Sequence, residues 1–211
     1  FDPLSAGLSF IPFAVGQIIA APRSATMVNR FGYRAVMSFG LGAVAVALGA
    51  LSLIQIDTPI WLILTVFFIF GFGLGNVIAP ASTVMQNVLP LARAGAGSAV
   101  QNTVRQVGGA LGVAVIGTIL ATRYAHNVEP FLANLPAEIS DQAKDLGSES
   151  IIGTVSVLDQ AAERGVPANI IDQLQSGAFE AFLNASHITS MISTAVVLIA
   201  FFIVLIGLPK I

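Results

Sequence analysis

Ser98–Leu120, SAVQNTVRQVGGALGVAVIGTIL, is long enough to cross a bilayer as a helix, yet it carries an arginine, Arg105, in its first half. At about 100° per residue, Ser98, Gln101, Asn102, Arg105, Gly109 and Gly112 fall on one face. The opposite face is mostly Val, Ala, Leu and Ile. An arginine at the bilayer centre costs about 2.5–3.5 kcal/mol even on the most lenient insertion scale. The polar stripe is therefore expected to face other helices or a water-filled path. The plainer alternative is a helix–helix contact with no substrate role, since glycines on the same face favour close backbone approach.

Hydrophobic residues make up 55% of the chain and charged residues only 9%. Soluble domains average about 25% charged residues, so the composition points to an integral membrane protein. There is no cysteine, which excludes disulfides and thiolate metal sites. Residue 1 is Phe and no basic stretch precedes the first apolar run, so that run does not read as a signal peptide. The chain reads as a piece of a longer protein.

Five apolar runs of spanning length follow outward from the central stretch. The expected architecture is all-α, a polytopic transmembrane helix bundle with spans at about 4–21, 35–54, 60–83, 97–122 and 187–208. Asp2-Pro3 reads as a helix start, and Pro12 is expected to kink the first span. Residues 22–34, PRSATMVNRFGYR, form a basic connection into which the first helix can extend. In the second span, Gly40, Gly42 and Gly49 suit tight packing. On the third, Thr65, Phe72, Asn76, Pro80, Thr83 and Asn87 share a mixed face that also holds Ile69. That face reads as cavity-lining, with interhelical hydrogen bonding as the alternative. Residues 123–186 hold nine of the eleven acidic residues and read as an extracytoplasmic polar loop with short helices, notably over 156–164 and 168–183. The last span, within 187–211, ends at Pro209 and begins a cytoplasmic tail.

The charges orient these spans. With the 22–34 connection in the cytoplasm, Arg23, Arg30, Arg34, Arg93 and Lys210 lie there with no acid among them, and all eleven acids lie outside. The positive-inside rule favours this assignment, and Trp61 and Tyr124 then mark the outer interface and Tyr33 the inner one. Gly71-Phe-Gly-Leu-Gly75 superficially matches a nucleotide-binding glycine run. No strand precedes it, so packing is the better reading. His126 and His187 lack the partners of a metal site. Asn184-Ala-Ser186 is a formal glycosylation sequon that matters only in a eukaryotic secretory context. The sequence offers no catalytic set, metal site or cofactor site, and nothing suited to nucleic acid; its expected partner is the lipid bilayer.

Asn29-Arg-Phe-Gly-Tyr-Arg34 resembles the cytoplasmic loop motif of the major facilitator superfamily, closest to its fourteen-helix drug:proton antiporters, the EmrB/QacA-like multidrug exporters. Pro3-Leu-Ser-Ala-Gly-Leu8 with Pro12, Gly71-Phe-Gly-Leu-Gly75 with Pro80-Ala-Ser82, and Ser98 to Gly117 with Arg105-Gln-Val-Gly-Gly109 agree with it in order. The resemblance implies helices 10 to 14 of such a transporter in a bacterial cytoplasmic membrane. It implies partners in a missing N-terminal part, small amphipathic substrates and protons. It further implies a gating loop at Asn29, Arg30, Gly32 and Arg34, a substrate path along the third span, and a bundle interface at Ser98, Gln101, Asn102, Arg105, Gly108, Gly109 and Gly112. One departure is Asn29, where the family motif often has an acid. No Asp or Glu lies within the spans, so a proton-coupling acid is expected in the missing part. A transporter of another solute, such as a lipid or metabolite, and a non-transporting membrane remnant are the alternatives.

Overall fold

The computed structural model describes residues 7–87, 94–133 and 146–208; the expected helix start at Asp2-Pro3 and the loop residues Pro90 and Arg93 lie outside them. The described chain is helical: α1 (Ile11–Leu51), α2 (Ile60–Asn87), α3 (Ala94–Leu132), α4 (Ile151–Glu163) and α5 (Ala168–Gly207). Four of these, α1, α2, α3 and α5, are long and apolar enough to cross a membrane.

Five expected spans and four such helices are reconciled at Gly32. Within α1 this residue has φ 79° and ψ 161°, a backbone region that only glycine enters without strain. The contacts on either side show that the chain reverses there. Along the first arm, Phe10 stacks on Phe67, Phe13 lies tilted against Phe70, and Ala20 meets Gly75, so the arm runs parallel to α2. Along the second arm, Tyr33 lies beside Pro80 and Thr83, Gly40 beside Asn76 and Val44 beside Gly73, so this arm runs antiparallel to α2. Residues 11–31 and 33–51 are thus two apolar arms of spanning length folded back on each other at one glycine.

Glycines set the closeness of this packing. Gly71 and Gly75, four residues apart, face the first arm, where a Cβ on Gly71 would overlap the Phe13 carbonyl. Gly73, on the opposite side of the same turn, faces the second arm, and a Cβ on Gly40 would stand 2.7 Å from its carbonyl oxygen. The glycine run therefore serves two neighbours at once, which accounts for its spacing. Gly42 makes only an ordinary contact with the Phe201 ring, and Gly49 has open space around it, so of the three expected packing glycines Gly40 alone is tight.

One proline departs from expectation: Pro12 stands in the first turn of α1, where its missing N–H leaves no helical bond unmade, so it kinks nothing. Pro22 lies inside the first arm, because the helix does extend into the 22–34 connection, as far as Phe31.

The chain divides into two units, residues 1–111 with 190–211, and residues 112–189. The second unit packs the C-terminal half of α3, all of α4 and the first half of α5 around Tyr124, Val128, Leu132, Val157, Leu158, Leu174 and Ala178. Here α3 continues to Leu132 and α5 begins at Ala168, well beyond the expected span limits at 122 and 187. Hydropathy marks where a chain is apolar, whereas a helix ends only where its backbone finds other partners. The helix expected over 156–164 begins earlier, at Ile151, because the Ser150 hydroxyl caps it by accepting from the Gly153 N–H at 3.1 Å.

A buried relay ties this unit together. The Thr154 hydroxyl donates to the Gly147 carbonyl at 2.6 Å. Its single proton is thereby used, so Tyr124 is the donor in the 2.6 Å bond between their hydroxyls. Burial raises the Tyr124 pKa above its ordinary 10.0, with the Thr154 bond opposing that rise. Because the folded state holds this proton more tightly, the associated stability is complete at neutral pH and is lost as pH climbs above about 10. Tyr124→Phe should cost about 1 kcal/mol at neutral pH and remove that alkaline component. Thermal melts at pH 7.5 and above pH 10 check both effects; equal losses in the two proteins at high pH would contradict the assignment.

Candidate functional site

Residues on either side of the Gly32 turn and the C-terminal half of α2 line a partly open cavity of about 120 Å³. Ser24, Val28 and Asn29 line it from the first arm, Tyr33 from the second, and Pro80 and Thr83 from α2. One residue expected in the gating loop, Asn29, is thus brought to one space with two residues expected along the path. Pro80 has no N–H to offer the Asn76 carbonyl, which loosens the α2 ladder at the cavity wall. The Thr83 hydroxyl donates back to the Ala79 carbonyl at 3.1 Å, and the Ser24 hydroxyl to the Ala21 carbonyl at 2.7 Å. Arg30 stacks its guanidinium over the Phe31 ring, 5.4 Å from the ring centre.

The remaining path residues separate. Asn76 is fully buried against Gly40, its amide donating to the Phe72 carbonyl at 2.9 Å. Its Oδ1 has no hydrogen-bond partner among the described residues, and neither has the buried Ser38 hydroxyl. Phe72 is half-buried, edge-on to Phe39 with 6.3 Å between centroids. Thr65 is exposed and bonds to its own helix at Trp61. The side chain of Asn87 lies outside the described residues. The sequence marks Tyr33 only as an inner-interface aromatic and singles out neither Ser24 nor Ser38 for the site. Tyr33 stood inside the loop motif, and Ser38 stood as a lone hydroxyl in an apolar run.

On α3, Ser98, Asn102, Arg105, Gly108, Gly109 and Gly112 are all exposed, and a Cβ added at Gly108, Gly109 or Gly112 would meet nothing within 4 Å. Gln101 reaches α2, its amide donating to the Ser82 hydroxyl at 2.7 Å. Arg105 donates to Asn102 Oδ1 at 3.0 Å, a bond within the stripe itself. Val104, Val107 and Leu111 on the same helix are also exposed, so between Asn102 and Gly112 neither face is covered by the described residues.

A family model described as Major Facilitator Superfamily matches residues 1–113, which hold the Gly32 turn, the glycine run and the polar stripe. The chain belongs to the major facilitator superfamily. Among the relatives of this superfamily member, the multidrug efflux pump LfrA of Mycolicibacterium smegmatis is 31% identical over 199 residues, 94% of this chain and 38% of LfrA. The tetracenomycin C resistance and export protein of Streptomyces glaucescens is 26% identical over 193 residues, 90% of this chain and 34% of that protein. The multidrug resistance protein Stp of Mycobacterium tuberculosis is 31% identical over 133 residues, 63% of this chain and 24% of Stp. The chain thus spans about two fifths or less of the relatives it matches. Its superfamily is one of transporters, and its apolar helices are those of a multi-pass membrane protein.

Proposed function

We propose that this chain is the C-terminal part of a drug exporter of a bacterial cytoplasmic membrane, moving amphipathic compounds outward in exchange for protons, with no enzymatic step. The observation that carries the reading is the stripe from Ser98 to Gly112, polar and glycine-rich on a helix of spanning length, which the described residues meet only at Gln101 and otherwise leave exposed. Such a face is stable in a bilayer only against protein or water. A second helical bundle of the same transporter supplies that cover, and Arg105, Gln101 and the three glycines form this chain's side of the interface. The names of LfrA, Stp and the tetracenomycin C protein support export of drug-like compounds. The turn of Asn29, Arg30, Gly32 and Arg34 lies in the cytoplasm and gates the space shared with Pro80 and Thr83. Alternating access then rocks the two bundles about a midplane path along α2. The proton-titrating acid belongs to the missing part, because the spans 4–21, 35–54, 60–83, 97–122 and 187–208 contain neither Asp nor Glu.

Ethidium efflux tests this. Cells expressing the full-length transporter that contains this chain should export the dye and stop when the proton gradient is discharged. Cells expressing residues 1–211 alone should not export it. Efflux by residues 1–211 in a strain without a resident homologue, or efflux indifferent to the gradient, would overturn the reading.

A further inference from the structure

Among the described residues, one side-chain hydrogen bond joins the first turns of α3 to another helix. From Gly95 to Val115 every residue is exposed except Gly97, which is buried, and Gln101, which is half-buried. These two stand four residues apart, hence on one face of the helix. The Gln101 amide donates to the Ser82 hydroxyl on α2 at 2.7 Å. That hydroxyl has one proton, and it is used on the Ile78 carbonyl of its own helix at 3.0 Å. Ser82 therefore offers only lone pairs to α3, and the Gln101 NH2 group is the donor that fits them. Arg105, one turn further on, lies within about 40° of Gln101 around the helix, so the rotation that closes this bond also sets the direction of Arg105.

We propose that Gln101 is a positioning residue: its bond to Ser82 sets the rotation of α3 about its own axis and so aims Arg105 and the glycines at the surface that covers the stripe. The proposal rests on the reading of that stripe as a bundle interface, and it gives Gln101 a role within this chain, at the edge of the interface. Packing alone does not set the rotation. A Cβ at Gly108, Gly109 or Gly112 would meet nothing within 4 Å, and Val104, Val107 and Leu111 are exposed too. A helix with no covered side chain over about three turns has no steric register with its neighbours there, so a directional bond at its root decides its rotation. The same bond reaches the cavity wall. Ser82 stands next to Thr83 and two residues beyond Pro80, both of which line the cavity, so the wall and the stripe are tied at one point.

Two measurements test it in the full-length transporter on a cysteine-free background. Spin labels at Trp61→Cys on α2 and Val104→Cys on α3, both exposed, report the placement of α3 whether or not the protein exports anything. The distance between them should be narrowly distributed with Gln101 intact and with Ser82→Thr, which keeps the hydroxyl. It should broaden in Ser82→Ala and in Gln101→Met, which keeps the length but not the donor. Ethidium export gives the second measurement. At equal membrane abundance, Ser82→Ala and Gln101→Met should each lower the maximal rate about threefold to tenfold, the scale of one interhelical hydrogen bond in a membrane, with the half-saturating dye concentration unchanged. The double variant should be no worse than either single one, because both remove the same bond. Unchanged distances in Gln101→Met, or additive losses in the double variant, would overturn the proposal. So would normal export with broadened distances, which would make the bond a structural contact. Absence of export by the unsubstituted protein counts against the exporter reading, and the distances still decide the role of Gln101.

Discussion

Gly71→Ala should strip about 3 kcal/mol from the protein and leave little of it folded in the membrane. The added methyl would overlap the Phe13 carbonyl, a backbone atom on a helix that is itself pinned by Phe10 on Phe67 and Phe13 on Phe70. Neither helix can yield locally, because Gly73, two residues on, holds the second arm with a comparably close approach. Gly49→Ala is the matched comparison. It adds the same methyl to a helix with nothing within 4 Å, and should be neutral or stabilising by up to about 1 kcal/mol. Thermal stability of the solubilised protein, read by loss of the monodisperse peak, checks both. Equal behaviour of the two variants would mean that α1 and α2 do not meet through these glycines.

Arg105→Ala should abolish export by the full-length transporter while leaving its amount in the membrane near normal. Insertion does not need this side chain; on the insertion scale its removal is favourable by about 2.5–3.5 kcal/mol. In the described chain its partner is only Asn102, one turn back, so a planar group of donors remains for the surface that covers the stripe. Arg105→Lys keeps the charge but loses that fork, and should be impaired as well. Efflux normalised to membrane abundance is the measurement. Normal export by Arg105→Ala would remove any functional role. Disappearance of the protein from the membrane would leave a structural one.

Much of this architecture is legible in the residues, and the gaps have physical causes. The apolar runs show where the bilayer is, and the basic Asn29–Arg34 stretch shows where two of them join. That they join through a single left-handed glycine is invisible in hydropathy, because a reversal inside an otherwise helical sequence leaves the pattern of apolar residues unchanged. The glycines of 71–75 read as packing devices, but their division between two neighbours depends on the direction of the chain after Gly32. Asn76 shows the limit of a helical wheel. The wheel puts it on one face with Thr65 and Thr83, yet Gly40 admits α1 so closely that Asn76 is buried while the two threonines are exposed. Beyond the spans, amphipathic periodicity reveals α4. The helix read over 168–183 is there too, but that it runs unbroken into the last span, and that α3 continues to Leu132, is hidden because apolar span limits mark the bilayer and not the helix ends.

The central claim is that the chain reverses at Gly32 and crosses the membrane on alternate sides, with the basic turn inside. Single cysteines at three exposed positions test it, Asn29→Cys at the turn, Asp57→Cys before α2 and Glu149→Cys before α4. An impermeant maleimide applied to intact cells should label positions 57 and 149 and spare 29 until the membrane is permeabilised. Labelling of 29 together with 57 would contradict the reversal, and labelling of 29 alone would contradict the orientation.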